Sequence, residues 1–408
     1  MVAVSRVDRQ ACGPRFGSQA AMLALAIAGF APLYWTQAVG PELTRAFGLT
    51  TAQSASLLTA TSLGLVLAAP AAGLALQRFG ARRTIGAGLA GLAAVSLAMA
   101  LARDYPSLLL TRFVQGALTP LVLSTLLCLI PGGPRSRAAL AMSATYVTGT
   151  ILGGVGGRLL PALLMTRFGW QGAGLALALL EAVGTGLALM TVPGCVAGGG
   201  VRSRSAALCR TRASSALLTV YGGGLALLFS QTAVFTYIAY RLGAAPFGWS
   251  TASLGWLYLV FLPGVVIVRT VRPLALATGF APLLTAAVAL SWLGLLATLA
   301  SVAVLVVAGL TLFSTSVFFA QALLAHRLST VASPAQRELA TGRYLSCYYL
   351  GGCVGAVAPA AAWRAHGWLG CLAVVLAAQA VVALGVMLGR GRGRTRHAAP
   401  ARNRESCQ

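Results

Sequence analysis

Apolar residues run along this chain in stretches of about 20, without the alternation of a half-buried strand, and each stretch stops at a cluster of Pro, Gly or Arg. Ala21–Val39, Ile85–Ala102 and Leu369–Leu388 are clear cases. A helix of about 20 apolar residues crosses the hydrocarbon of a bilayer, whereas barrel strands alternate over about 10. The breaks predict helices near 19–44, 51–76, 82–102, 106–130, 137–164 and 170–192. A polar, basic stretch follows from Pro193 to Arg212, and six more helices are expected near 214–241, 250–269, 274–297, 300–327, 338–362 and 368–389. Only Ala300 and Ser301 mark the division between the ninth and the tenth. The expected fold class is an all-α integral membrane protein with twelve transmembrane helices. Its expected organisation is a six-helix bundle over 1–193, a loop over 194–212, a second six-helix bundle over 213–389 and a basic tail over 390–408.

Composition strengthens this reading. Hydrophobic residues fill 58% of the 408 positions, charged residues only 9%, and the mean hydropathy is +0.83. A soluble domain carries about 25% charged residues, so this chain lacks the means to cover an ordinary aqueous surface. In lipid, helices and closed barrels alone satisfy their own backbone.

The net charge of +24 raises the question of nucleic acid, and the placement of the charge answers it. All 30 basic residues are Arg, mostly in short gaps between apolar runs. Counted on alternate sides of the predicted helices, 23 lie on one side and five (Arg45, Arg103, Arg167, Arg241 and Arg364) on the other. That asymmetry is the positive-inside pattern, and it puts both termini and the central loop in the cytoplasm. Arg112 and Arg158 fall inside predicted helices. No nucleic-acid partner is expected.

The eight cysteines are scattered without metal-ligand spacing, and neither a disulfide nor a metal site is read from them. The first apolar run lacks a cleavage site and reads as a retained helix. Catalytic sets are missing too, and with six carboxylates in all, acid–base enzymology has little to work with. No enzymatic activity and no cofactor are expected.

The chain also repeats itself. A shift of 198 carries Tyr146 onto Tyr344, Gly153 onto Gly351, Gly154 onto Gly352, Gly157 onto Gly355 and Pro161 onto Pro359, and then Gly169-Trp170 onto Gly367-Trp368. A shift of 200 carries Phe47-Gly48 onto Phe247-Gly248. Six spans in each copy make the halves parallel, related by an axis along the membrane normal, with a solute site between them.

Three motifs stand at fixed places on this frame. Between the second and third helices lie Gly73, Gln77, Arg78, Gly80, Arg82 and Arg83; the fourth helix carries Arg112, Gln115 and Gly116; the fifth carries Gly149, Gly153, Gly154, Gly157 and Arg158. They resemble, in order, the cytoplasmic loop signature, the Arg-x-x-Gln-Gly pattern and the antiporter glycine motif of the major facilitator superfamily. Shorter matches at Tyr34, Gln37, Pro41, Tyr237, Tyr240 and Tyr348 resemble a bacterial subgroup of drug and sugar efflux permeases. The resemblance implies two six-helix bundles, alternating access, a small-molecule solute, a bacterial inner membrane and a monomer.

It also implies roles. A substrate cavity would draw on Arg112 and on the polar groups of the apolar helices, Tyr34, Gln37, Gln115, Gln231, Tyr237, Tyr240 and Tyr348, about half of them facing it and the others bonding neighbouring helices. A cytoplasmic gate would comprise Gly73, Gln77, Arg78, Gly80, Arg82 and Arg83. Each has a plainer reading beside it. The glycines let helices approach closely, the loop arginines fix topology, and Arg158 snorkels to the headgroups. The sequence departs from the family where Gln77 replaces an Asp, where Gly154 replaces a Pro, and where the first helix lacks an acidic residue before Glu42. The second half carries no clear copy of the loop signature. Glu181 is the one carboxylate predicted well inside a helix, so it is the candidate proton site.

Overall fold

Proline and glycine decide where the long apolar runs bend. The computed structural model describes residues 18–130, 137–193, 215–332 and 337–394. Among them there is no strand, and the helices trace twelve spans. The central loop over 194–212 and the tail beyond 394 lie outside the described residues, as do Arg135 and four of the cysteines.

The first span is not the continuous helix expected from its hydropathy. It comprises α1 (Gln19–Phe30), a 3-10 turn over Ala31–Leu33 and α2 (Trp35–Phe47). Pro32 has no amide hydrogen to continue the helix. Tyr34, at φ −122 and ψ 8, leaves the helical region. The Gln37 amide then bonds the Tyr34 carbonyl instead of that of Leu33. Two carbonyls at mid-membrane depth are left needing donors.

Three long helices each hold a sharp turn at one glycine. α3 (Thr51–Ala100) supplies spans two and three and turns at Gly80; α4 (Tyr105–Cys128) is span four. α5 (Arg137–Thr191) supplies spans five and six and turns at Gly169; α6 (Ser215–Gly243) is span seven. Span eight runs through α7 (Thr251–Trp256), α8 (Leu262–Ile267) and α9 (Val271–Thr278), joined by 3-10 turns. The last four spans are α10 (Phe280–Ala297), α11 (Ala303–Val331), α12 (Arg337–Val357) and α13 (Ala360–Arg394), the last turning at Gly367.

Some boundaries move from their expected places. The break expected over 77–81 is helical on both sides of Gly80. Pro273, read as a break, is the third residue of α9, where its missing amide hydrogen costs nothing. The chain turns instead at Gly279. The faint division at Ala300 and Ser301 does fall between α10 and α11.

The repeat seen in the sequence reappears as packing. Span five lies on span one so closely that a methyl group on Gly153 or Gly157 would press into the carbonyl of Ile27 or Ala31. Span eleven lies on span seven with Gly351 over Leu225 and Gly355 over Phe229. Each member of the second set is 198 residues on from its counterpart. Backbone conformation repeats as well. Gly80 (φ 78, ψ 165) matches Gly279 (φ 84, ψ 166), so the second half keeps the turn of the loop signature while losing its side chains. Large apolar side chains such as Leu67, Leu179, Met190 and Leu276 cover the outside, as lipid contact requires.

Candidate functional site

The arginine pattern defines two sides of the molecule, one poor in Arg (Arg45, Arg103, Arg167, Arg241, Arg364) and one rich. The polar contacts between the two sets of six spans lie toward the Arg-poor side. Thr44 and Tyr240 share a hydroxyl hydrogen bond at 3.1 Å, Gln37 donates to Thr236 at 3.3 Å, and Thr59 donates to the Cys353 carbonyl at 2.8 Å. A narrow cleft between spans one, two and seven is lined there by Thr36, Gln37, Ser54, Thr236 and Tyr240. Toward the Arg-rich side, Tyr146, Tyr348 and Tyr349 are only partly buried. Tyr34, Tyr348 and Tyr349 form one neighbourhood near the middle of the spans.

Two arginines are buried in the membrane-spanning part, and their surroundings differ. Arg112 on α4 lies inside the first bundle. Its Nη1 donates to the Pro32 carbonyl at 2.6 Å and its Nη2 to the Leu33 carbonyl at 2.6 Å, the acceptors exposed by the break in span one. Its Nη1 also donates to Gln115 Oε1, and the guanidinium lies 5.8 Å from the Trp35 ring. Gln115 Nε2 passes the chain on to the Ser96 hydroxyl at 2.8 Å. Ser96 and Arg112 are the polar neighbours of the Glu181 carboxylate, which is fully buried on span six. A chain of three side chains thus joins spans three and four to the break in span one, and the Glu181 carboxylate of span six lies beside it with neither oxygen hydrogen-bonded.

Arg158 on α5 lies between the halves. Its Nε donates to Gln37 Oε1 at 2.9 Å and its Nη1 to the Gly154 carbonyl at 2.6 Å. Three rings surround the guanidinium: Tyr34 at 4.4 Å, Tyr258 at 5.0 Å and Phe261 at 5.2 Å. The last two belong to the second half. Among the described residues the ion pair present is Arg45 with Glu42, at 2.8 Å on the Arg-poor surface.

The residues expected to line one cavity fall into separate places. Tyr34, Gln37 and Tyr240 gather at the line between the halves, whereas Arg112 and Gln115 face the interior of the first bundle. Tyr237 is wholly buried in the second bundle, where it donates to the Ala356 carbonyl at 3.0 Å and packs on Trp363. Gln231 is buried on α6, and Tyr348 stacks on Tyr344 beside Gln321. At the expected gate, Gly73, Gln77, Arg78, Arg82 and Arg83 are exposed around the buried Gly80. Arg82 Nε donates to the Val192 carbonyl at 2.7 Å, tying the turn to the end of span six. Gly149 packs on Ala26 and Leu23, as close helix approach requires. Sequence reading missed Ser96, Thr236, Tyr258 and Phe261. Ser96 was findable as a lone hydroxyl in an apolar run; the two rings had no signal apart from ordinary apolar residues.

Comparison with known proteins agrees with this architecture. The chain is 23% identical over 356 residues to an uncharacterized transporter of Buchnera aphidicola (subsp. Schizaphis graminum), with 86% of each chain covered. It is 22% identical over 366 residues to the uncharacterized MFS-type transporter YybF of Bacillus subtilis, covering 85% of this chain and 86% of that one. Among solved structures, the nucleoside transporter NupG superposes with a TM-score of 0.74 at 13% identity, covering 91% of this chain and 99% of the other. A bacterial homolog of the human lysosomal transporter Spinster, inward-facing and occupied, superposes with a TM-score of 0.72 at 13% identity, covering 91% and 96%. The pattern of the Major Facilitator Superfamily matches residues 18–356. With twelve spans, a parallel repeat and that match over most of its length, this chain is a membrane transporter of the Major Facilitator Superfamily.

Proposed function

We propose that the protein exports a small organic or amphiphilic solute across a bacterial inner membrane by alternating access, in exchange for protons. The observation that carries this reading is the nature of the contact between the halves. Its polar part is a few single hydrogen bonds and ring contacts toward one side, each worth about 1 kcal/mol, beside apolar packing of span eight on span five. With no ion pair to break among the described residues, the halves can part there as they close on the other. With the Arg-rich side in the cytoplasm, the conformation described is closed outward. Glu181 is the proton carrier in this scheme, and protonation would change the charge of the network that holds the break in span one. Gly73, Gln77, Arg78, Gly80, Arg82 and Arg83 belong to the cytoplasmic gate.

Purified protein in proteoliposomes with an imposed pH gradient tests the reading. Solute flux that follows the gradient in the wild type and loses that dependence in Glu181→Gln supports it; flux indifferent to the gradient overturns the coupling. A second reading, uncoupled movement of a metabolite, is favoured by Gln77 in the place of an acidic gate residue and by the lack of a carboxylate in the first span before Glu42. It predicts equal flux with and without the gradient.

A further inference from the structure

The charges inside the membrane do not balance. Glu181 lies near enough to Arg112 to act on its charge, within one bundle and beyond ion-pair distance. Among the described residues no carboxylate pairs with Arg158. The chain has six carboxylates to draw on. Asp8 and Glu405 stand near the two ends of the sequence, and Glu338 opens α12 at its Arg-rich end. Glu42 is engaged by Arg45, and Asp104 caps α4 by accepting the Ser107 amide at 2.9 Å. Glu181 is buried inside the first bundle, beside the Arg112 network. The rings of Tyr34 and Tyr258 lie against the Arg158 guanidinium.

A cation at this depth without a counter-ion is costly, and such groups mark solute pathways. We infer that Arg158 is the recognition point for an organic anion with an aromatic or flat apolar body, bound between the two halves; this rests on the transport reading above and narrows its substrate class. The guanidinium is a planar fork suited to a carboxylate. It sits on the seam between the halves, with rings from both sides of that seam around it. On its Arg-rich side the partly buried Tyr146, Tyr348 and Tyr349 adjoin Tyr34 and offer ring faces to the body of the solute. One further detail links the site to a departure in the sequence. A side chain at Gly154 would begin 3.3 Å from both Arg158 Nη1 and the Phe30 ring. Any side chain there would crowd the guanidinium, and glycine leaves it room.

The anion also explains why closure and binding share residues. A carboxylate on the fork competes with the ring contacts to Tyr258 and Phe261 and with the hydrogen bond to Gln37, the residue that bonds Thr236 across the seam. Solute binding would then loosen the closed side.

The test is thermal unfolding of the full chain in detergent with benzoate, 1-naphthoate and indole-3-acetate, each beside its neutral amide. The expected result is a rise in Tm with at least one acid and a smaller rise, or none, with its amide. In Arg158→Gln the acid's apparent Kd should increase at least about tenfold, the usual scale for losing a charge-assisted hydrogen bond. Arg158→Lys keeps the charge without the fork and should fall between. Arg364→Gln, at an exposed site on the Arg-poor side, should bind as the wild type does. If Arg158→Gln does not fold, Arg158→Lys carries the comparison. Equal stabilisation by acid and amide, stabilisation by neither, or unchanged acid binding in the Arg158 variants overturns the inference. Flux of the same compounds is read separately. Acid binding without flux removes the transport reading and leaves the site; flux of neutral amphiphiles without acid binding removes the site and leaves transport.

Discussion

Gln37 of the first span donates its side-chain amide to the hydroxyl of Thr236 in the seventh, at 3.3 Å. The two stand 199 positions apart, close to the repeat distance, so they are near-equivalent residues of the two halves meeting at the axis between them. Gln37 also accepts from Arg158 through its carbonyl oxygen at 2.9 Å. One side chain therefore joins the closed seam to the buried cation.

Removing this link should open the seam. Thr236→Val keeps the branched shape and deletes the acceptor, a loss of about 1 kcal/mol, or about a fivefold shift between closed and open states. The shift should appear as faster modification of a cysteine placed at Thr44 in a background without other cysteines. An unchanged rate would mean that the hydrogen bond does not hold the closure.

The glycines of spans five and eleven make a prediction with its own control. In Gly157→Ala and Gly355→Ala the new methyl group meets the carbonyl of Ala31 or Phe229, whereas a methyl on Gly156 meets nothing. Overpacking against backbone costs about 1–3 kcal/mol. Both Ala variants should lower the Tm in detergent by several degrees, with Gly156→Ala close to the wild type. Equal Tm for all three would show that the helices separate to admit the methyl at no cost.

Much of this architecture was legible in the sequence, because length and polarity alone decide what can span a bilayer. Twelve spans follow from apolar runs, and the parallel repeat follows from Tyr146/Tyr344 and Gly169-Trp170 with their copies. The internal break in span one was not read, although Pro32 marks it, since an apolar run gives no sign of where its backbone bonds lapse. Which backbone carbonyls Arg112 would meet was not legible for the same reason, since every residue has one. The turn at Gly279 was masked by Pro273, a residue that looks like a break and is tolerated at the third position of α9. Tyr258 and Phe261 were invisible as site residues because their role depends on which helix the tertiary fold sets beside Arg158.

The two turn glycines should respond alike despite their different neighbours in sequence. Gly80 and Gly279 share a conformation, with φ near 80 and ψ near 165, that is open to glycine and to almost no other residue. Gly80→Ala and Gly279→Ala should each destabilise by about 1–3 kcal/mol. Thermal unfolding measures this directly. A neutral Gly279→Ala beside a damaging Gly80→Ala would mean that the second turn can relax to another shape.

The Arg112 network separates a structural from a transporting role by which link is cut. Gln115→Leu removes the bridge between Arg112 and Ser96 and leaves buried donors short of partners, which costs about 1–3 kcal/mol. That loss should appear in Tm whatever the network does in transport. Arg112→Lys keeps the charge but cannot hold the Pro32 and Leu33 carbonyls with two separate nitrogens, so the break in span one loses part of its support. Glu181→Gln keeps the size and removes the acidic group that acts on Arg112 from beyond ion-pair distance, so its Tm should fall less than that of Gln115→Leu. The decisive comparison is flux in proteoliposomes of equal protein content. If the network moves protons, Glu181→Gln should abolish dependence on the pH gradient while solute exchange between equal pH values continues. Gln115→Leu should slow both modes together. If Glu181→Gln and Gln115→Leu instead lower Tm by similar amounts and leave gradient-driven flux per folded molecule unchanged, the network is a clamp on span one, and the proton must travel elsewhere.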